Sequence, residues 1–289
     1  MPTVAVTGAN GKTGRGVLVD LVANGYDVRA IDSSGGPGDR GDLAGLGAPL
    51  LRADLTDYGQ TVDALDGVES VIHLAAIPAP GFFTDAHTFT ANTAMNSNVF
   101  LAAGKLRLDR VVWASSETTL GLPFDENPPR YVPMDEDHYP IPTTTYALSK
   151  VVGETLAHHV SAWSGIPFIA LRLSNVYDAG DYAKVPSFWD DPRLRIFNLW
   201  GYIDVRDVAL ACRLALSASV TGARSYVIAA RDTVMNRPSA ELMAEVFPGV
   251  PVRDSLGTYD SLHDSGRART ELGFVAHHSW RDVITSPSA

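Results

Sequence analysis

Cysteine is nearly missing from this chain: Cys212 stands alone among 289 residues. An internal disulfide and a cysteine-rich zinc site are thereby excluded. Cys212 falls in the helical-looking stretch 207–217 and reads as a small core residue. A basic surplus is missing too. Lys and Arg number 23 against 33 Asp and Glu, a formal net charge of −10. A nucleic-acid partner needs a basic surface, so none is expected, and the acidity reads as solubility. No apolar run is long enough to span a membrane. Met1 leads straight into Val4-Ala5-Val6 with no basic leader region, so a cytoplasmic protein without a membrane partner is expected. Internal repeats and low-complexity tracts are absent. What remains, 45% hydrophobic and 19% charged residues, is the composition of an ordinary globular core.

Short apolar runs recur at 3–7, 26–31, 49–53, 70–75, 110–114 and 167–173, with amphipathic stretches at 12–24, 58–65, 86–105 and 146–163 between them. Strands alternating with helices predict an α/β fold, a doubly wound parallel sheet covered on both faces. The stretch 33–47 holds six glycines and reads as a loop after the second strand. Six prolines between Leu122 and Pro142 read as a long surface excursion, of the kind that is functional or mobile. Beyond Leu173 the pattern loosens into a small C-terminal substrate cap. The expected division is a dinucleotide-binding domain over 1–173 and a cap over most of 174–289, with residues about 202–230 returning to the core.

Gly8, Gly11 and Gly14 stand between the first strand and the first helix. Glycine allows the tight turn, close approach of backbone to a pyrophosphate, and close helix–strand packing, and the helix start offers free N–H groups to phosphate. An ordinary tight turn would carry the same pattern. Asp32 adds to it: it ends the second strand 18 positions after Gly14, where a carboxylate accepts from ribose hydroxyls and repels a 2′-phosphate. NAD is therefore favoured over NADP, although Arg29 and Arg40 keep NADP open.

Tyr146 and Lys150 lie four apart on an expected helix and share a face. A nearby ammonium favours phenolate, which lets a tyrosine exchange a proton with a substrate hydroxyl. Ser115 and Ser116 end the strand Val111-Val112-Trp113-Ala114, where a hydroxyl can steer a carbonyl oxygen or merely form a turn. The histidine pairs His158-His159 and His277-His278 are poor metal sites, because helix neighbours point about 100° apart, and no metal is expected. Trp189, Phe188 and Phe197 either stack on a sugar ring or pack the cap. Asp204 and Asp207 read as caps of the helix that follows them.

Taken together these residues resemble the extended short-chain dehydrogenase/reductase family, in its NAD-dependent epimerase/dehydratase branch, over most of the chain. Thr7-Gly8-Ala9-Asn10-Gly11-Lys12-Thr13-Gly14 resembles the family's Rossmann turn, and Asp54-Leu55 its pair beside adenine. His73-Leu74-Ala75-Ala76 is similar to the strand end against the cofactor, with Asn92 in the next helix. Ala114-Ser115-Ser116 resembles the serine strand end, with Ser116 at the catalytic position, and Tyr146-Ala147-Leu148-Ser149-Lys150 resembles YxxSK. Arg172 to Tyr177, Tyr202 to Ala209 and Ala268 to Phe274 are similar to three later family segments. The resemblance implies catalysis by Ser116, Tyr146 and Lys150. It implies cofactor contacts from Gly8, Asn10, Gly11, Lys12, Thr13, Gly14, Asp32, Asp54, Leu55, Leu74, Ala75, Ala76, Asn92, Ala114, Tyr146 and Lys150. Substrate contacts are expected from Ile77, Ser116, Glu117 and Asn175.

Three departures bear on substrate. Glu117 follows the serines where a small residue is usual, Leu173 replaces a common proline, and only 24 residues separate Tyr177 from Tyr202. So short a cap is similar to that of uronate dehydrogenases in the same family and leaves little surface for a sugar nucleotide. The expected activity is NAD-dependent oxidation or epimerisation at a hydroxyl of a sugar or sugar acid. The alternatives are a sugar-nucleotide 4-epimerase or dehydratase and, in another class, a dinucleotide-sensing regulator. The resemblance also implies a homodimer formed by the helices around 86–105 and 146–163.

Overall fold

The computed structural model describes residues 3–33, 48, 50–124, 127–138 and 140–284. The expected glycine-rich loop, apart from Ser33, lies outside the described residues, and so does Arg40. The chain begins with β1 (Thr3–Thr7), α1 (Lys12–Ala23), β2 (Asp27–Asp32), β3 (Leu50–Arg52), α2 (Tyr58–Leu65) and β4 (Ser70–His73). It continues through α3 (Asp85–Leu106), β5 (Arg110–Ser116), α4 (Thr145–Ser164), β6 (Phe168–Leu173), β7 (Val176–Tyr177), β8 (Ile203–Asp204) and α5 (Val205–Ser217). It closes with β9 (Ala223–Ile228), α6 (Ser239–Val246) and α7 (Gly266–Leu272). Seven strands pair in the order β3-β2-β1-β4-β5-β6-β9, every neighbour parallel, and β7 and β8 form a separate parallel pair.

Side-chain alternation decides how the two faces are covered. Val4 and Val6 of β1 and Val112 of β5 point to one side and pack with Val17, Leu18, Leu21, Val208 and Cys212 of α1 and α5. Ala5, Val111 and Trp113 point to the other and pack with Val99, Phe100, Ala157 and Val160 of α3 and α4. A strand buried on both faces must read as a continuous apolar run, which made the inner strands β1, β4, β5 and β6 legible; β3, at the sheet edge with Leu51 exposed, showed only through its short apolar start. The seventh, β9, is an edge strand that begins Ala223-Arg224-Ser225, with Arg224 exposed, so its signal is weak. Cys212 is buried as expected, and burial pushes its thiol up to about 12.

The stretch 122–142 is not the surface excursion its prolines suggest. Phe124, Val132 and Met134 are buried with Tyr202, Met235 and Trp280 in a third apolar cluster beneath the cap. Its backbone is stitched on as well: Val132 N–H donates to Pro251 O at 3.0 Å, Met134 N–H to Leu262 O at 2.8 Å, and Phe124 N–H to Phe197 O at 3.0 Å. Trp189 belongs to the same core; its indole N–H donates to Val234 O at 3.0 Å and its ring lies 5.2 Å from that of Trp280.

The helix α4 sets the position of the site. Thr144 accepts from Ala147 N–H at its start, and Gly165, at φ 77°, ends it in the left-handed region. Within it Gly153 is the point of closest approach: a Cβ there would stand 2.8 Å from Asn96 Nδ2 and 2.9 Å from the Trp113 ring. Both neighbours are buried and cannot yield freely. Gly153→Val is expected to lower stability by about 1–3 kcal/mol through overpacking, read as a lower urea midpoint with an unchanged slope.

Candidate active site

The glycine turn and the end of β4 meet so closely that side chains are barred. A Cβ on Gly8, at φ 66°, would fall 2.7 Å from Ala75 N, and one on Gly14 would fall 2.2 Å from Gly8 O. The turn's shape therefore requires glycine at these two places. Gly11 caps α1 without a side-chain bond, and no acidic residue occupies the first turn, so the leading N–H groups at Lys12, Thr13 and Gly14 suit an anion. Asp32 leans in from β2: Asn10 N–H donates to its Oδ2 at 2.8 Å and Ser33 N–H to its Oδ1 at 2.7 Å. The donor set, with a carboxylate at the far strand end, fits a dinucleotide. Arg29 is spent elsewhere, on the carbonyls of Ala64 and Asp66.

Lys12 does something its motif position does not foretell. Its ammonium bridges to Asp181, lies 3.9 Å from Asp178 Oδ2, and donates to Val176 O at 3.2 Å. The nucleotide turn is thus tied to the cap, and hydrogen bonds from Lys12 and neighbouring groups hold Asp181 down to about 2 against the opposing effect of burial.

Other expected contacts are engaged locally. Asp54 Oδ1 accepts from Thr56 N–H and hydroxyl at 2.9 and 2.7 Å, next to the buried Leu55. Asn92 Oδ1 accepts from Ile77 N–H at 2.8 Å and its amide donates to Ile77 O at 3.1 Å, so it pins the segment after Leu74, Ala75 and Ala76. His73 bonds Thr7 Oγ1 at 2.7 Å and Asn96 Oδ1 at 3.1 Å, and burial drives it down to about 3, so it is neutral.

The three residues expected to act in catalysis, Ser116, Tyr146 and Lys150, come together at the end of β5. Ser116 Oγ accepts from Thr118 N–H at 3.2 Å and from the Thr118 hydroxyl at 3.0 Å, leaving its own proton for the Tyr146 phenol. Lys150 Nζ donates to Ala114 O at 2.8 Å and stands 5.6 Å from the Tyr146 ring centre. The expected easing of the phenol toward phenolate is not what the protein alone produces. Burial pushes Tyr146 up to about 12, Ser116 pulls it back in part, and Glu117 adds to the rise. Burial also lowers Lys150 to about 8.

Ser115, the other serine, faces structure: it donates to Glu154 Oε1 at 2.6 Å, and Arg172 grips the same carboxylate in a fork at 2.9 and 2.8 Å. Sequence reading passed over Glu154, although it continues the face of Tyr146 and Lys150 four residues on. Glu117 is wholly buried. Asn198 Nδ2 donates to its Oε1 at 3.1 Å, its Oε2 lies 3.6 Å from His263 Nε2, and backbone at Asn175 also reaches it. Burial outweighs these partners and raises Glu117 to about 7, while it lowers His263 to about 4. Neither Asn198 nor His263 carried a sequence signal, because each reaches Glu117 across a long gap in the chain.

Asp204 caps α5 as expected, accepting from Arg206 N–H, but Asp207 does not. It collects His277 N–H, His278 N–H and His278 Nδ1 at 3.1, 2.9 and 2.9 Å, which ties down the C-terminal segment. His158 and His159 are exposed. Among the described residues no cluster has the makings of a metal site, and no helix is long and apolar enough to cross a membrane.

A parallel sheet with a glycine cradle at its switch point and a Ser–Tyr–Lys set at the next strand end defines an α/β dinucleotide-dependent oxidoreductase class. Residues 4–229 match the NAD dependent epimerase/dehydratase family, and the chain belongs to that family of NAD-dependent enzymes. It is 31% identical over 236 residues to a putative UDP-glucose 4-epimerase of Methanocaldococcus jannaschii, covering 74% of this chain and 73% of that one. It is 28% identical over 196 residues to the NAD-dependent glucose-6-phosphate dehydrogenase of Haloferax volcanii, covering 64% and 74%. Among solved structures it resembles a short-chain dehydrogenase/reductase superfamily protein of Agrobacterium tumefaciens with bound NAD. That match has a TM-score of 0.71 and 25% identity, over 96% of this chain and 93% of the other.

Glu117 makes one separable contribution to the pH dependence of stability. Its folded-state value lies above its ordinary 4.5, so the contribution is fully present below pH 4.5 and is lost as pH rises through about 7. The loss is on the order of 3 kcal/mol. The buried neutral histidines His73 and His263 act in the opposite sense over the same range, so the expected signature of Glu117→Gln is in the difference: the parent's unfolding free energy relative to the variant should fall by that amount between pH 4.5 and 7, measured by denaturant titration of both at a series of pH values.

Proposed function

We propose that this protein oxidises a hydroxyl of a sugar or sugar acid with NAD, Tyr146 serving as acid/base. The observation that carries the reading is the convergence of Ser116, Tyr146 and Lys150 at the end of β5, beside the cradle formed by Gly8, Gly14 and Asp32. NAD, when bound, supplies the acceptor for hydride from the carbinol carbon. Ser116 donates to the substrate oxygen and fixes its direction. Tyr146 exchanges the hydroxyl proton, and in its protonated form it is ready as an acid toward a carbonyl. Lys150 presents a cationic face to the phenol and to a ribose. Ile77, Glu117 and Asn175 line the substrate side, and most of 174–289, apart from residues about 202–230 that return to the core, acts as its cap. Asp32 and the committed Arg29 favour NAD over NADP. Glycines, Asn10, Lys12, Thr13, Leu55, Leu74, Ala75, Ala76 and Ala114 frame the cofactor groove, and Asn92 holds its wall.

The glucose-6-phosphate dehydrogenase relative and the short cap support a free sugar or one bearing a single acidic group. The M. jannaschii relative keeps a second reading, sugar-nucleotide 4-epimerisation, alongside it. Homodimerisation through α3 and α4 is part of the proposal, supported by exposed Leu101, Leu148 and Trp163 on those helices, and we place the enzyme in the cytoplasm.

The two readings part in the fate of hydride. With free sugars and sugar acids, NADH should accumulate in proportion to product, whereas an epimerase isomerises a sugar nucleotide with no net NADH. Tyr146→Phe is expected to lower kcat about 10²- to 10⁴-fold while the dissociation constant for NAD stays within a factor of three or so. Full turnover by this variant on a true substrate would end the mechanism.

A further inference from the structure

Lys12 belongs to the cradle and to the cap at once. As the first residue of α1 it presents its N–H at the helix end that suits an anion, and neither a side-chain cap nor an acid in the first turn takes that place. Its ammonium reaches the cap. It donates to Val176 O on β7 at 3.2 Å and bridges to Asp181, with Asp178 Oδ2 at 3.9 Å. Asp181 opens the 3₁₀ stretch Asp181–Phe188 and also accepts from Asp178 N–H at 3.0 Å and from Lys184 Nζ at 3.1 Å. Two ammonium groups thus meet two carboxylates, and the charge of Lys12 is compensated without a ligand.

The bridge closes a ring of three contacts. The helix α1 packs on the start of α5 so tightly that a Cβ on Gly16 would fall 2.6 Å from Val205 Cγ2. Asp204, just before Val205, is fully buried, caps α5 and accepts from the Tyr182 hydroxyl at 2.6 Å. Tyr182 is the chain neighbour of Asp181, and Asp181 returns to α1 through Lys12. Two sides of the ring are packed and dry. The third is ionic and within reach of water, the side chains of Lys12 and Asp181 being 29% and 17% exposed. A charge-assisted bond between such groups parts and re-forms without disturbing a core, because water takes over as partner to both. This is the side of the ring that can open.

We propose that the Lys12–Asp181 bridge is a latch on the cofactor, closed while a dinucleotide occupies the cradle and opened for it to enter or leave. The inference rests on the reading of the glycine turn as the dinucleotide site. An anion held by the N–H groups of Lys12, Thr13 and Gly14 shares its first anchoring residue with the latch. The cap segment therefore cannot draw back from that end of the groove until the ionic side of the ring parts. Because its charge is already matched by the cap, the ammonium acts on the rate of escape rather than on the phosphates. A dehydrogenase exchanges NADH for NAD in every cycle, which puts the latch on its turnover path. An enzyme that regenerates its NAD in place would open it rarely.

NADH serves as the probe, and the readout is its release rather than turnover. The full-length parent, Asp181→Asn, Asp181→Glu, Lys12→Met and the combination of Lys12→Met with Asp181→Asn are loaded with NADH, whose fluorescence is followed after mixing with excess NAD. Asp181→Asn keeps the charge of Lys12. It should release NADH about tenfold or more faster, the scale of a lost charge-assisted hydrogen bond, with an association rate within a factor of about three. Lys12→Met should match it, and the double variant should exceed neither single one by more than about twofold, because both changes remove the same contact. Asp181→Glu, which can still pair, should stay nearer the parent. Thermal midpoints report folding, and the two Asp181 variants decide the matter alone if Lys12→Met is unstable. If Asp181→Asn slows release or leaves it unchanged while Lys12→Met speeds it, the ammonium serves the phosphates and the latch is overturned. Release rates that are alike in the parent and all variants overturn it too. A parent that binds no NADH rejects the dinucleotide reading itself, and the latch with it.

Discussion

The site rests on one carboxylate. Glu154 accepts from Ser115 on β5 and takes a two-pronged bond from Arg172 on β6, and its own backbone is α4. Three elements that share no local sequence are thereby held in one register beneath the catalytic trio. A buried ion pair adds little net stability against an apolar replacement, but removing one partner leaves a naked charge and costs several kcal/mol. What the pair supplies is position. With α4 fixed by Glu154, Tyr146 reaches Ser116 and Lys150 reaches Ala114 O, and neither reach survives a shift of one helical turn.

Above that brace the chemistry is governed by desolvation. Tyr146, Lys150, Glu117 and His263 are all buried, and for each of them burial is the leading cause of its shifted affinity for a proton. A dry pocket favours neutral groups: a protonated phenol, a histidine without charge, a carboxyl that titrates near neutrality. In such surroundings a single fixed charge acts over a longer distance than it would in water. The placement of Glu117 next to Ser116 is therefore an electrostatic arrangement as much as a steric one.

Much of this could be read before the coordinates were seen, and for a physical reason. Strands buried on both faces must be apolar throughout, and phosphate turns must be glycine, so β1, β4, β5, β6 and the Gly8–Gly14 cradle announce themselves. That Tyr146 and Lys150 would meet was legible because they are a helical turn apart. The misreadings share a different cause. Leu122–Pro142 looked exposed because its prolines hide an apolar set, Phe124, Val132 and Met134, of which only Val132 and Met134 stand at strand spacing, too short a pair to announce an element. Asp207 looked like a cap because its partners, His277 and His278, are seventy residues or so away. Glu154, Asn198 and His263 gain their meaning only from contacts across the fold, which no local pattern encodes.

The route of the chain between β6 and β9 limits how the pocket can open. The segment leaves the sheet at Leu173 and rejoins it at Ala223, and the two strands it departs from and returns to lie side by side, paired from Phe168↔Ala223 to Leu173↔Ile228. A segment moored at both ends to adjacent rows of one sheet has no free hinge about which to swing. It admits a molecule by yielding locally, in the short 3₁₀ turns around 181–188 and 192–198. The bridge from Lys12 to Asp181 crosses that yielding region and fastens it to the far wall of the groove. The bridge thereby couples the shape of the glycine turn to that of the segment it fastens.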